Sequence, residues 1–160
     1  MQKVRRSILV FLFALSATLP GFKSRDNLMQ TMPILSYGEN GIKIDDTQCS
    51  TDLSSDGKSL SIAAFNTVSA SMCQIQFNTP EPVSGTYTTV FEEPIGKGQV
   101  LIHVNGELFD GKNYNALSGQ VVILKNVSGK FKVTFNDIAL MDIQTKKNIN
   151  RKISGNFGCN

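Results

Sequence analysis

Few residues in this chain have the types and spacing that acid–base or metal chemistry needs. His103 is the only histidine, and a single histidine cannot supply the multi-histidine set typical of zinc sites. The acidic pairs Asp45-Asp46 and Glu92-Glu93 could suggest glycoside hydrolysis, which uses two carboxylates facing each other across a sugar. Adjacent residues on a strand point to opposite faces, so neither pair can do this alone. We therefore predict no catalytic residues, no metal site and no cofactor.

Basic residues are concentrated toward the C-terminus. Residues 111–160 contain 8 Lys and Arg against 2 Asp and Glu, whereas residues 23–110 contain 5 against 11. The uneven distribution favours acidic and basic halves that complement each other within one domain. The alternative is a surface patch for an anionic glycan, a phosphate-bearing lipid or an acidic partner, formed by Lys125, Lys130, Lys132, Arg151 and Lys152. Trp is absent and aromatic interleaving of the kind that stacks nucleobases is not evident, so nucleic acid is not an expected partner.

The elements that must hold these side chains are β-strands. Phe131, Val133 and Phe135 alternate with polar residues, which places three large apolar groups on one face of a strand. The same period of two recurs at residues 60–64, 73–77, 100–104 and 153–159, and turn dipeptides such as Asp-Gly, Asn-Gly and Ser-Gly separate the runs. Eight or nine such strands, spaced about a dozen residues apart, predict an all-β fold, an antiparallel sandwich or barrel.

The N-terminus has the pattern of a secretory signal. Lys3, Arg5 and Arg6 precede an apolar run over residues 8–15 that is too short to span a bilayer. We predict a signal peptide over residues 1–22 with cleavage near 17–21, a flexible tether over 23–32 and a single β domain over 33–160. Removing the signal leaves 13 Lys and Arg against 13 Asp and Glu, and no second stretch of membrane-spanning length. The expected location is the periplasm or the medium.

An oxidising location would allow one disulfide among three cysteines. Alternation places Cys73 and Cys159 on the apolar faces of their strands. Cys49 lies on the face opposite Ile42 and Ile44, if that strand continues so far. The sequence therefore favours a Cys73–Cys159 disulfide, and the alternative is three free thiols.

The order of these strand and turn segments resembles the small exported β-sandwich proteins, many of them lipoproteins, of Bacteroidetes-type bacteria, whose function is unknown. The segments that carry the resemblance are Leu-Ser-Ile-Ala-Ala-Phe (60–65), Cys-Gln-Ile-Gln-Phe (73–77), Ser-Gly-Thr-Tyr (84–87), Ala-Leu-Ser-Gly-Gln-Val-Val-Ile (116–123), Lys-Phe-Lys-Val-Thr-Phe (130–135) and Lys-Ile-Ser-Gly-Asn-Phe (152–157). Lipid-anchored members carry a cysteine directly after the leader, whereas the first cysteine here is Cys49. The resemblance implies an exported β protein and no catalytic residues.

These observations together predict a non-catalytic exported module that binds a glycan, a peptide or a protein partner at the cell envelope. One alternative is a β-barrel that carries a small apolar ligand, if its interior leaves a cavity. A second is a hydrolase that draws its acid and base from scattered Asp and Glu residues.

Overall fold

The alternating segments of the sequence form strands in the structure, a computed structural model that describes residues 32–54 and 56–159. The predicted signal peptide and nearly all of the predicted tether lie outside the described residues. Eleven strands follow in chain order: β1 (Ile34–Tyr37), β2 (Asn40–Lys43), β3 (Asp46–Ser50), β4 (Ser61–Asn66), β5 (Ser71–Gln76), β6 (Gly85–Val90), β7 (Gln99–Asn105), β8 (Tyr114–Ser118), β9 (Gln120–Lys125), β10 (Phe131–Asp142) and β11 (Asn148–Cys159). A 3₁₀ turn, Glu107–Phe109, lies between β7 and β8. Within the described ranges no helix is long and apolar enough to cross a membrane.

The predicted inward faces of the strands are confirmed. On β10, Val133 and Phe135 are buried and Phe131 is half-buried, while Lys130 just before the strand is exposed. The same agreement holds for the other alternating runs, whose apolar members form one core: Ile62 and Ala64 on β4, Cys73 and Ile75 on β5, Val100, Ile102 and Val104 on β7, and Ile153 and Phe157 on β11. Edge-to-face ring pairs fill this core, with centroids 6.0 Å apart for Phe135–Phe157 and 5.3 Å for Phe77–Tyr87.

All eleven strands belong to one sheet, in the order β2-β1-β11-β10-β9-β6-β7-β5-β4-β3, and β8 pairs with both β10 and β7. This exceeds the eight or nine strands predicted, because β1, β2 and β3 are only four or five residues long and have little alternation. The sheet is also mixed rather than wholly antiparallel, since β6 and β7 run parallel.

The parallel pair needs only a short connection. Thr88 pairs with Gln99 and Val90 pairs with Leu101. The last residue of β6 therefore lies only two residues farther along the sheet than the first residue of β7, so the connection has little distance to cover. A parallel connection usually takes a dozen residues or more, because it must return the full length of a strand. Here residues 91–98 suffice. These residues lie over the outer face of the sheet, where they contact side chains of β5 and β8.

The predicted Cys73–Cys159 pairing is wrong. The disulfide joins Cys49 on β3 to Cys159 on β11, with their Cα atoms 6.0 Å apart, and Cys73 is a free, buried thiol. The prediction treated residues 42–50 as one straight strand, but the chain changes partner at Ile44–Asp45, from β1 to β4. Asp45 and Asp46 are both exposed in succession, so the alternation shifts by one and Cys49 packs against the core.

Candidate binding cleft

Polar side chains form a row across the outer face of the sheet. Gln74 on β5 is the direct cross-strand partner of His103 on β7, and His103 is in turn the partner of Asn115 on β8. These residues point outward because their neighbours Cys73, Ile75 and Val104 point into the core. Their faces follow from period-two alternation, whereas their juxtaposition follows from the register of three strands.

The loop between β3 and β4 forms one wall over this row. Both carboxylate oxygens of Asp56 organise the loop: Oδ1 accepts from Ser54 Oγ and from the backbone N–H groups of Lys58 and Ser59, all at 2.8 Å, and Oδ2 accepts from Ser59 Oγ at 2.7 Å. These bonds, above all the one from the Ser59 backbone, lower the pKa of Asp56 well below its usual value. Leu53 of the same loop accepts a hydrogen bond from Gln74 Nε2 at its carbonyl oxygen. The wall is therefore fixed to β5.

The connection between β6 and β7 forms the opposite wall. Asn115 Nδ2 donates to the carbonyl oxygen of Phe91 at 2.8 Å, and Gln76 Nε2 donates to Glu93 Oε1 at 3.1 Å. The β6–β7 connection thus brings the Glu93 carboxylate over the sheet, and the connection is hydrogen-bonded to both β5 and β8.

A directed chain of hydrogen bonds runs along the floor. Since Asn115 donates from Nδ2 to a backbone carbonyl, its Oδ1 faces His103 Nδ1, at 3.0 Å. Nδ1 must then carry the ring proton, and Nε2 accepts from Asn105 Nδ2 at 3.2 Å. The His103 ring is therefore held in a fixed orientation by an amide on each side.

The walls and the floor enclose a cleft of about 330 Å³, which we call the outer cleft. Its polar lining includes Gln74, Gln76, Glu93, His103 and Asn115, and its apolar lining is Leu53, Leu101 and Ile143. A smaller cleft of about 220 Å³ adjoins it and shares Gln76 and Glu93. A third, of about 440 Å³, lies farther along the same face with Phe65 and Met72 on its floor. Within the described ranges, no Lys or Arg lines any of the three.

Apart from the Glu93 carboxylate, the described lining of the outer cleft offers hydrogen bonding rather than charge. Side-chain amides can donate and accept at once, and a neutral imidazole does the same. Its volume lies at the lower end of the range of small-ligand pockets, and it combines apolar surface with a few convergent polar groups, as such pockets do.

The two acidic pairs considered in the sequence are divided among separate roles. Asp45 accepts three hydrogen bonds from Thr67, chiefly that of the side-chain hydroxyl, and these lower its pKa. Asp46 lines the third cleft, whereas Glu92 pairs with Lys146 at 3.3 Å and Glu93 lines the outer cleft. Each pair therefore sends its two carboxylates to different surroundings, although neither pair lies wholly on one strand.

The five basic residues predicted to share a patch lie in two places. Lys132 is opposite Gly158 and Lys152 is opposite Ala139, seven residues apart on β10, which is about 23 Å at the rise of a strand. Lys125 and Lys130 lie with Lys132 at the β9–β10 hairpin. Arg151 lies with Lys152 at the other end, where its guanidinium is 3.1 Å from Asp110 and its Cζ is 5.0 Å from the ring centroid of Tyr37.

Period-two alternation alone places His103 on the face opposite Val100, Ile102 and Val104, but it does not reveal the cleft. The available signal was the polar face of β5, where Gln74 and Gln76 alternate with core residues. That alternation does not show which strands lie beside β5. It therefore could not indicate that Asn115 and Glu93 line the same cleft as Gln74 and Gln76.

The chain matches no protein-family model, no curated protein and no solved structure.

Proposed function

We propose that this protein is a non-catalytic binding module that holds a neutral, hydroxyl-rich ligand, a glycan, in the outer cleft. The observation that carries the proposal is the row Gln74–His103–Asn115, whose side chains are aligned by register and oriented by hydrogen bonds. Groups that are already fixed lose little conformational entropy when a ligand binds.

The lining chemistry supports a glycan over an anionic ligand. Sugar hydroxyls donate and accept at once, as the amides of Gln74 and Asn115 do. Leu53 and Leu101 provide apolar surface for the C–H face of a sugar ring. Among the described residues of this lining, Glu93 is the one with a charged side chain, and it would repel a phosphate or carboxylate ligand.

Export and membership of the envelope protein group that the sequence resembles are also part of the proposal. The pattern of Lys3, Arg5 and Arg6 before an apolar run supports export. The Cys49–Cys159 disulfide supports it independently, because disulfides persist mainly in oxidising compartments.

For the architecture, we propose a closed barrel rather than a sandwich. β2 and β3, at the two ends of the strand order, are consecutive in the chain and separated only by Ile44 and Asp45. Ile44 N–H also donates to the carbonyl oxygen of Pro33, beside β1, at 2.9 Å, and Asp45 N–H to that of Phe65 on β4 at 3.0 Å, so the connection is bonded next to each end of the strand order. The rings of Phe135 and Phe157 fill part of the interior, which favours the outer cleft over a carrier's lumen.

The test is a glycan array probed with the processed protein, followed by calorimetry on each hit. His103→Leu, which keeps much of the side-chain volume, should weaken binding about ten-fold or more, because it leaves two amides without their partner. Gln120→Ala is the matched control, since this polar residue is exposed on the outer face of β9 and does not line the clefts.

Two results would overturn the assignment. One is equal loss of affinity in both variants, which would place the glycan elsewhere. The other is an array without hits together with an apolar molecule retained in native mass spectrometry, which would favour a carrier.

A further inference from the structure

The large exposed apolar side chains are concentrated on one part of the surface, away from the outer cleft. β9 exposes Val122 and Leu124, and Val122 belongs to a cross-strand row that runs through Thr134 and Asn156 to Ile34 on β1. Six of the seven large exposed apolar residues in the described ranges lie on or beside this area: Met32, Ile34, Val83, Val122, Leu124 and Val127. A concentration of exposed apolar side chains on one part of a folded domain often marks an interaction site.

The β9–β10 hairpin projects Val127 from this area. Asn126 Oδ1 accepts hydrogen bonds from the backbone N–H groups of Ser128 and Lys130, at 3.0 and 2.9 Å, and from Ser128 Oγ at 2.7 Å. Asn126 N–H in turn donates to the carbonyl oxygen of Lys130 at 2.9 Å. The turn is thus held by its own polar groups, and Val127 at its tip is fully exposed. Because the turn holds the Val127 side chain away from the core, this side chain is available to contact a partner surface.

A second exposed apolar residue lies beside the hairpin. Ser84 Oγ accepts the Lys125 backbone N–H at 2.8 Å, which fixes the loop before β6 against the end of β9. Val83 of this loop is exposed and therefore lies beside the hairpin as a further apolar side chain. The same loop also contains the acidic residue Glu81.

Lysines flank the apolar tip on both faces of the hairpin. Lys132 is the cross-strand partner of Leu124 on the outer face. Lys125 is the partner of Phe131 on the other face, with its Nζ 5.3 Å from the ring centroid. Lys130 follows directly after the turn. The hairpin therefore carries three cations around two exposed apolar side chains.

We propose that this hairpin patch, formed by Leu124, Val127, Lys125, Lys130 and Lys132, docks the protein on an anionic lipid bilayer. Val127 and Leu124 enter the headgroup layer, and the lysines contact lipid phosphates. The complementarity is both of charge and of shape, because a projecting apolar tip ringed by cations suits a soft surface with negative headgroups above an apolar layer. The outer cleft lies on other strands of the sheet, so docking leaves it open.

The test is co-sedimentation with phosphatidylcholine vesicles prepared with and without phosphatidylglycerol, at low and high salt. We expect binding only to vesicles that contain phosphatidylglycerol, and weaker binding as salt screens the lysines. Lys125→Gln with Lys132→Gln should weaken binding roughly 25-fold, at about five-fold for each lysine near an anionic surface. Val127→Ser with Leu124→Ser should also weaken it, because the apolar contact is lost.

Val68→Ser with Lys58→Gln is the matched control, since both residues are exposed outside the hairpin and its neighbouring loop. All proteins are taken in the form that the host produces, with the N-terminus defined by intact mass, so any contribution from residues 1–31 is common to them. Thermal melts confirm that each variant folds.

Three outcomes would overturn the proposal. They are equal binding to both kinds of vesicle, no binding to either, and unchanged binding by the lysine and apolar variants relative to the control. Sedimentation showing a dimer that Val127→Asp dissociates, with no vesicle binding, would instead make the patch an interface between two copies.

Discussion

Cys73 and Cys159 both lie in the core, yet only one of them is oxidised. Burial raises the pKa of the Cys73 thiol well above its usual value, because the thiolate would lose its hydration there. Since the thiolate is the reactive form, a buried neutral thiol is chemically inert. Cys49, shifted inward by the bend at Asp45 and Asp46, lies where Cys159 can reach it.

We therefore expect no labelling of the native protein by iodoacetamide, and labelling at Cys73 alone after unfolding without reductant. Peptide mapping under non-reducing conditions should recover one crosslinked pair, Cys49 with Cys159. Replacing both by serine should lower the free energy of unfolding by about 2–5 kcal/mol, as for other native disulfides. Cys73→Ala is the control, because it leaves the crosslink intact. A crosslinked peptide containing Cys73 would contradict this assignment.

At the scale of the strand pair, Gly155 on β11 provides the space that a core ring on β10 occupies. Gly155 is the cross-strand partner of Phe135, and a methyl group added to it would overlap the Phe135 ring. Gly85 on β6 has no neighbour within 4 Å of such a methyl group. The two glycines therefore form a matched pair for the same substitution.

Gly155→Ala should lower the free energy of unfolding by about 1–3 kcal/mol through overpacking. Gly85→Ala should change it by no more than about 0.5 kcal/mol. Urea unfolding measures both, and Phe135→Leu in the Gly155→Ala background should recover part of the loss, because the smaller side chain yields room. Equal effects of the two alanines would show that the ring does not lie over Gly155.

Strand faces could be predicted from the sequence because alternation is a local property of the chain. Phe135 and Val104 were placed inward correctly without knowledge of their neighbours. Pairing is a long-range property, so the parallel β6–β7 pair and the Gln74–His103–Asn115 row could not be derived from the same pattern. The disulfide was mispredicted for a third reason: a bend between two short strands changes the phase of the alternation.

At the scale of the whole molecule, three carboxylates make the free energy of unfolding depend on pH in the acidic range. Asp45, Asp56 and Asp142 accept hydrogen bonds, chiefly from Thr67, Ser59 and Thr145 respectively, and each has its pKa lowered from the usual 3.8. The unfolded chain therefore takes up protons at a higher pH than the folded chain does. Their contribution is complete above the unfolded pKa and is lost as the pH falls through the folded values.

We expect the urea midpoint to change little from neutral pH to about pH 5 and to fall steeply below about pH 4. Asp56→Asn should lower the midpoint at neutral pH and make the acid decline shallower, since an amide accepts fewer of the four bonds to Asp56. Asp52→Asn is the control, because this exposed aspartate carries no comparable set of side-chain hydrogen bonds in the described part of the chain. An Asp56→Asn protein with an unchanged acid decline would assign the effect to other groups.

The bond between Cys49 and Cys159, 110 residues apart, makes most of the domain a covalent macrocycle. A protease that cuts one of its exposed loops, at Lys58 or in the hairpin around Val127, nicks the ring without releasing a fragment. A nicked chain should therefore run as one species on a non-reducing gel and separate into two pieces only after reduction. A chain built in this way can lose the continuity of its backbone at a loop while its two covalently joined pieces stay in register.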